Sequence, residues 1–297
     1  MELNSRRVLY EIHSDVRLPM ASTTKIVTAA TVLEHCDDLT EKVVIASEAE
    51  GVEGSSVYLK AGEMYSVEEL LYGLMLRSGN DCAMALALHF SENIGDFSAK
   101  MNETAQKAGA LHSNFQNPHG LPCHGHYTTA YDLTAISCYA MQNPKFREIV
   151  ATKYYEPRHW QNKNKMLFNY EGSVGIKTGY TKEAGRCLVT AAERNGMTLV
   201  CTVLNSPTMY EQTEKLLNDA FSAYYNAKLL SNGQEFSVDG KKAQAREEFV
   251  YPLLDGEEDA VEYRITPQKT KTKGEIIGVL EISLAKRLLF STNLYKL

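Results

Sequence analysis

The sequence predicts an α+β domain followed by a small all-β domain, and three observations carry that prediction. Between residues 22 and 150 the chain holds a succession of runs with helical apolar spacing, the first through Ile26, Val27, Ala29, Ala30 and Leu33. Residues 186–192 and 197–205 then alternate like strands and are joined at Asn195-Gly196, a dipeptide that favours a two-residue hairpin turn. Beyond Gln234 helical periodicity is mostly lost, and short alternating runs take over at 249–251, 261–265 and 275–283. The change in character places a boundary near Leu229, giving domains 1–228 and 229–297.

Composition supports a globular chain of this kind. It has 297 residues, 44% hydrophobic and 23% charged, enough for one large domain with a smaller one attached. A net charge of -6 gives no basic footprint for nucleic acid. No apolar run approaches the ~20 residues of a membrane span. The opening stretch Met1-Glu2-Leu3-Asn4-Ser5-Arg6-Arg7 lacks the apolar core of a signal peptide, as a mature or trimmed chain would. Six cysteines (Cys36, Cys82, Cys123, Cys138, Cys187, Cys201) form no Cys-x-x-Cys pair. In the hairpin register Cys201 faces Thr190, whose parity is opposite to that of Cys187. Those two thiols therefore point to opposite faces, and all six are expected to be free and mostly buried.

In chain order, 7–12 reads as a short strand, and His13-Ser14-Asp15 as a turn. Pro19 stops what precedes it, and a helix follows to about residues 35–38. Residues 42–64 are mixed, with strand-like pieces at 43–45 and 57–59. Ser66-Val67-Glu68-Glu69 is a capping-box pattern that opens a helix through Leu70, Leu71, Leu74 and Met75. That helix stops at Arg77-Ser78-Gly79-Asn80, and another begins at once. Further helices are expected at 97–110, 129–141 and 144–150, a strand at 170–180, and an amphipathic helix at 210–230.

Three places carry candidate chemistry. Ser22 lies at or near a helix N-terminus, where free N–H groups and the macrodipole favour a developing anion. Lys25 lies one turn on, on the same face. The pair is a nucleophile with a base, provided burial or a second cation lowers the lysine pKa; otherwise it is a serine cap before a solvated lysine. Ser78 and Asn80 occupy a tight turn between two apolar helices, either a plain turn or a polar edge facing a cleft. By strand alternation Lys177 and Gly179 share a face, placing a cation beside a residue with no side chain to obstruct a ligand. The alternative there is an exposed lysine before a glycine turn. A fourth stretch, residues 114–126, holds His119, Cys123, His124 and His126 on a Gly/Pro loop without zinc-type spacing. It reads as a structured loop, with no metal and no cofactor.

Taken in this order, Ser22-x-x-Lys25, Ser78-Gly79-Asn80 and Lys177-Thr178-Gly179 resemble the three active-site motifs of penicillin-recognising serine enzymes. The chain looks most like the low-molecular-mass penicillin-binding proteins that act as D-alanyl-D-alanine carboxypeptidases. Further stretches carry the likeness: Pro19-Met20-Ala21-Ser22-Thr23-Thr24-Lys25, Ser78-Gly79-Asn80-Asp81, Asn117-Pro118-His119-Gly120-Leu121 and Gly175-Ile176-Lys177-Thr178-Gly179-Tyr180-Thr181. It covers roughly residues 7–228 and extends more loosely to the β domain. The resemblance implies an antiparallel sheet flanked by helices, a helical subdomain at about 40–165, and a site in the cleft between them. It implies an acyl-enzyme on Ser22, with Lys25 as base, Ser78 as proton relay and Asn80 orienting Lys25 and the substrate amide. Lys177 and Thr178 would hold the terminal carboxylate, beside Gly179. The backbone N–H groups of Ser22 and Tyr180 would form the oxyanion hole. Peptidoglycan stem peptides would be substrate and β-lactams inhibitors, at an extracytoplasmic location.

The chain departs from related enzymes in identifiable ways. Gly79 stands where class A β-lactamases carry Asp, and no Glu-x-x-Leu-Asn stretch occurs between Asn80 and Lys177. Both argue against efficient β-lactam hydrolysis. The stretch Lys286-Arg287-Leu288-Leu289-Phe290 is too short for a C-terminal amphipathic anchor, which leaves peripheral membrane association open. The rival readings are a β-lactamase or DD-transpeptidase on the same scaffold, a penicillin-binding sensor that never turns over, and a metal-dependent hydrolase using the histidine loop.

Overall fold

A computed structural model of the chain describes residues 1–268 and 276–297. It divides into two compact units, Met1–Asn218 and Asp219–Leu297.

In the first unit, the start of the chain lies along a sheet edge: Val200 N–H donates to Met1 C=O, and Leu3 N–H donates to Thr198 C=O, both at 2.9 Å. The strand expected over 7–12 does not form, because Met1–Leu3 take that edge, and Tyr10 and Ile12 stand exposed. A 3-10 turn, Ala21–Thr24, leads into helix α1 (Lys25–His35), buried from Lys25 to Val32. Strand β1 (Lys42–Val44) pairs with β2 (Met64–Ser66). The piece expected as a strand at 57–59 is irregular, since Val57 and Leu59 give their N–H groups to the Asp81 carboxylate instead of a strand partner.

The capping box forms as its spacing predicts. Ser66 Oγ accepts from Glu69 N–H at 3.1 Å, and the Glu69 carboxylate accepts from Ser66 N–H at 2.9 Å. It opens α2 (Val67–Tyr72), which continues as a π-helical turn, Gly73–Arg77, and ends where Ser78 takes the left-handed conformation (φ 64°). Helix α3 (Asn80–Phe90) begins two residues later. Helices α4 (Ile94–Lys107), α5 (Ala130–Ala140) and α6 (Pro144–Ala151) follow, each capped by a side chain: Asn93, Thr129 and Asn143. Helix α1 packs against α3, α4 and α5, which cover it from Lys25 to Val32 and leave His35 exposed.

A short ribbon, β3 (Tyr154–Tyr155) with β4 (Trp160–Gln161), and helix α7 (Met166–Asn169) precede the sheet. The sheet runs antiparallel in the order β5 (Ser173–Thr181), β6 (Gly185–Arg194), β7 (Met197–Val203). Its hairpin turns at Asn195-Gly196, and Thr190 lies opposite Cys201 as the turn register requires. All six cysteines are free; Cys123 is exposed and the others are buried or half-buried.

Helix α8 (Met209–Ala223) is shorter than the run of apolar spacing suggests. Tyr224–Leu230 forms strand β8, because it finds a partner in a distant strand that no local pattern reveals. The second unit continues with β9 (Glu235–Val238), β10 (Lys241–Ala245), β11 (Phe249–Leu254), β12 (Val261–Pro267), β13 (Ile276–Leu284) and β14 (Arg287–Lys296). β8 pairs with β11, and the others form one sheet in the order β12-β13-β14-β10-β9. Leu230, Leu253, Leu280, Ile282 and Leu294 form its core. Glu275, the first residue of one expected run, lies outside the described residues.

Candidate active site

Ser22 sits inside the 3-10 turn, which Thr23 ties down by donating its hydroxyl to Met20 C=O at 2.6 Å. Lys25 begins α1, and its side chain is fully buried. Its Nζ lies 3.0 Å from Ser22 Oγ, and it donates to Asn80 Oδ1 and to His119 C=O, both at 2.6 Å. None of these acceptors is a carboxylate. Burial pushes the Lys25 pKa well below the ordinary lysine range, and the Lys177 and Lys163 cations push the same way, against Cys82 and Asp81. These effects favour the neutral amine, the form that has a lone pair to take a proton.

Asn80 is held at both ends. Its backbone N–H donates to Ser55 C=O at 2.7 Å, and its Nδ2 donates to Glu53 C=O at 2.5 Å. With Nδ2 committed to a carbonyl, Oδ1 is the atom left to face Lys25. Ser22, Lys25 and Asn80 thus form one hydrogen-bonded cluster. Ser78 stands two residues before Asn80, buried in the same turn, and makes no hydrogen bond to the cluster among the described residues.

Lys177 lies on β5, buried, with Nζ donating to Thr178 C=O at 3.0 Å. Burial first, and the Lys163 cation second, bring its pKa down to about 7. Gly179 explains why this strand can approach the serine. A Cβ there would lie 3.0 Å from Met20 C=O and Thr23 N, and 3.1 Å from Ser22 N. The β5 backbone therefore passes directly over the N–H groups of the serine turn. Tyr180 follows, its side chain 64% exposed.

The His119 C=O that Lys25 reaches was not among the candidates the sequence offered, where the loop entered through its histidine side chains and its family likeness. Asn117 Oδ1 accepts from Gly120 N–H at 2.7 Å, folding the loop onto the serine turn. Gly120 has φ +91°, and a Cβ there would meet Ala21 C=O at 2.0 Å. The signal was the Asn117-Pro118-His119-Gly120-Leu121 stretch itself, read for likeness alone. Lys163 and Asp81 carried no sequence signal of their own.

Of the loop histidines His126 is buried, His119 is half-buried and His124 is exposed. His126 Nδ1 accepts from Gln116 N–H at 3.0 Å, which leaves Nε2–H to donate to Thr24 Oγ1 at 2.9 Å. Burial brings the pKa of both His126 and His119 down to about 4, so both are neutral imidazoles at neutral pH. Among the described residues no three His, Cys, Asp or Glu side chains cluster as metal ligands would.

Comparison with known proteins agrees with this geometry. Residues 1–208 match the family profile for D-alanyl-D-alanine carboxypeptidase. The D-alanyl-D-alanine carboxypeptidase DacF of Bacillus subtilis is 33% identical over 248 residues, 79% of this chain and 64% of that protein. The chain thus spans a little under two thirds of that relative's length. Among solved structures, penicillin-binding protein 5 of Haemophilus influenzae is similar over 100% of this chain and 94% of its own, with TM-score 0.83 and 28% identity. A Streptomyces DD-transpeptidase is similar over 75% of this chain and 95% of its own, with TM-score 0.70 and 35% identity. With a profile match over more than two thirds of its residues and these relatives beside it, the chain belongs to the D-alanyl-D-alanine carboxypeptidase family.

Proposed function

We propose that the protein is a serine-type D-Ala-D-Ala carboxypeptidase that removes the terminal D-alanine from peptidoglycan stem peptides. One observation carries the reading: a fully buried lysine amine, with no carboxylate among its acceptors, stands 3.0 Å from the hydroxyl of Ser22. In this reading Lys25, as free amine, takes the Ser22 proton while Oγ attacks the carbonyl of the terminal D-Ala-D-Ala bond. The peptide C–N bond breaks, D-alanine leaves with a proton relayed through Ser78, and water hydrolyses the Ser22 ester. Asn80 orients Lys25 and the substrate amide. The N–H groups of Ser22 and Tyr180 hold the oxyanion, a role supported by the close approach of Gly179 to Ser22 N.

Lys177 and Thr178 receive the free C-terminal carboxylate. A buried amine with pKa near 7 is poised for this, since an arriving carboxylate favours its charged form. The charge on Lys177 then holds Lys25 neutral at the moment a base is needed. β-Lactams present the same acyl and carboxylate groups and acylate Ser22. The chemistry belongs to the domain over 1–228, a reading supported by the compact unit Met1–Asn218 that contains every residue assigned a role. Residues 229–297 form a β-rich domain outside it. The enzyme acts in the cell envelope; no described helix is long and apolar enough to cross a membrane.

The test is intact-protein mass after brief exposure to benzylpenicillin, followed over hours, with Ser22→Ala as control. A stable adduct absent from the mutant, together with D-alanine release from a D-Ala-D-Ala peptide, is the expected result. Rapid penicillin loss without an adduct would mean a β-lactamase, and neither adduct nor loss would overturn the assignment. The likeness to a DD-transpeptidase favours a second reading on the same residues, in which an amine acceptor replaces water. Product analysis with and without an added acceptor amine separates the two.

A further inference from the structure

We propose that Asp81 is a positioning residue, whose carboxylate clamps the segment 55–59 so that the adjoining chain fixes the Asn80 amide toward Lys25. The inference rests on the reading of Ser22 as nucleophile and Lys25 as its base.

Asp81 lies in the first turn of α3 and is fully buried. Its Oδ2 accepts from Ser56 Oγ at 2.5 Å, Val57 N–H at 3.0 Å and Leu59 N–H at 3.1 Å, while Oδ1 accepts from Cys82 N–H at 2.9 Å. All four donors are neutral. A carboxylate sealed from water without a cation persists only where several donors converge on it, so this segment is shaped around the charge. Between Val57 and Leu59, Tyr58 takes a left-handed backbone (φ 67°), unusual for a bulky residue, and its side chain is 80% exposed. Its own N–H donates to Ser56 Oγ at 2.8 Å, the hydroxyl that Asp81 holds, and the N–H groups on either side of it both end on Asp81.

The other end of the segment reaches the site. Ser55 C=O accepts the Asn80 N–H, and Glu53 C=O accepts Asn80 Nδ2. Between them Gly54 (φ +95°) leaves no room for a side chain, since a Cβ would lie 2.8 Å from Asn80 Nδ2. Asn80 and Asp81 therefore grip the same stretch from adjacent positions. The Glu53 carbonyl decides which end of a nearly symmetric amide faces Lys25. If the segment lifts, that carbonyl withdraws and the amide is free to turn its NH2 toward the Lys25 amine, donor against donor.

The experiment is a double-mutant cycle. Asp81→Asn and Ser56→Ala are each made in the native and the Asn80→Ala backgrounds, and the second-order rate of acylation by benzylpenicillin is measured alongside the unfolding temperature. Asp81→Asn is expected to slow acylation about 10- to 100-fold in the native background and less than about 2-fold where Asn80 is already alanine. Ser56→Ala follows the same pattern with a loss of about 2- to 5-fold. An unchanged rate in folded Asp81→Asn overturns the inference, and so does an equal loss in both backgrounds. Should Asp81→Asn fail to fold, the Ser56→Ala pair decides by the same criterion. A native protein that benzylpenicillin never acylates would refute the proposed function instead.

Discussion

Replacing Lys177 by methionine separates the stability of this site from its chemistry. The side chain is 1% exposed, and its pKa falls from 10.5 to about 7. That drop corresponds to about 5 kcal/mol of penalty for holding the buried amine charged. Between pH 7 and 10.5 the unfolded chain binds the proton and the native one does not, so native stability rises with pH across that window. Below pH 7 both states are protonated and the full penalty is present. Lys177→Met removes it, and the cost of repacking a methionine does not vary with pH. The gain over the parent protein should therefore be about 3 kcal/mol larger at pH 6 than at pH 9. Removing Lys177 also lets the Lys25 pKa rise, which adds in the same direction. Urea unfolding at the two pH values measures the difference. A gain that is equal at both, or larger at pH 9, would refute the reasoning. The same variant should lose about 10- to 100-fold in kcat/KM on a D-Ala-D-Ala peptide, the worth of one charge-assisted hydrogen bond to carboxylate, and less on a peptide whose terminal carboxylate is amidated.

Ser66→Ala removes the capping box of α2 and should lower stability by about 1 kcal/mol, read as a fall of about 2–4 °C in Tm with acylation unchanged. Gly120→Ala drives a Cβ into Ala21 C=O at a positive φ, so it should cost about 3 kcal/mol or more and slow acylation by displacing His119 C=O from Lys25. The His126 pKa, held at about 4 by burial, means that native stability is lost as pH falls from 6.5 toward 4. His126→Gln should remove about 3 kcal/mol of that acid dependence, checked by urea unfolding at pH 4 and 7. A chelator should leave acylation by benzylpenicillin unchanged, measured by intact mass with and without it.

Much of this molecule was written locally. The capping box at Ser66 and Glu69, the Asn195-Gly196 hairpin and the pairing of Thr190 with Cys201 depend on residues a few positions apart, so spacing alone specified them. Ser22-x-x-Lys25, Ser78-Gly79-Asn80 and Lys177-Thr178-Gly179 were legible as candidates for the same reason: each motif is a short run of neighbouring residues at a helix start, an interhelical turn or a strand. Tertiary structure decided whatever needed a distant partner. Met1–Leu3, rather than 7–12, took the edge beside 198–200, and Tyr224–Leu230 left the helical pattern to pair with Phe249–Leu254. The segment at 57–59 gave its N–H groups to Asp81 instead of a strand. Lys25 is the clearest case. Its place one turn from Ser22 follows from helix spacing, but its burial, its hydrogen bonds to Asn80 and His119 and the Lys177 charge beside it come from residues 55 to 152 positions away. Hydrogen-bond partners and desolvation are properties of the folded surroundings, and those surroundings push the Lys25 pKa well below that of an ordinary lysine.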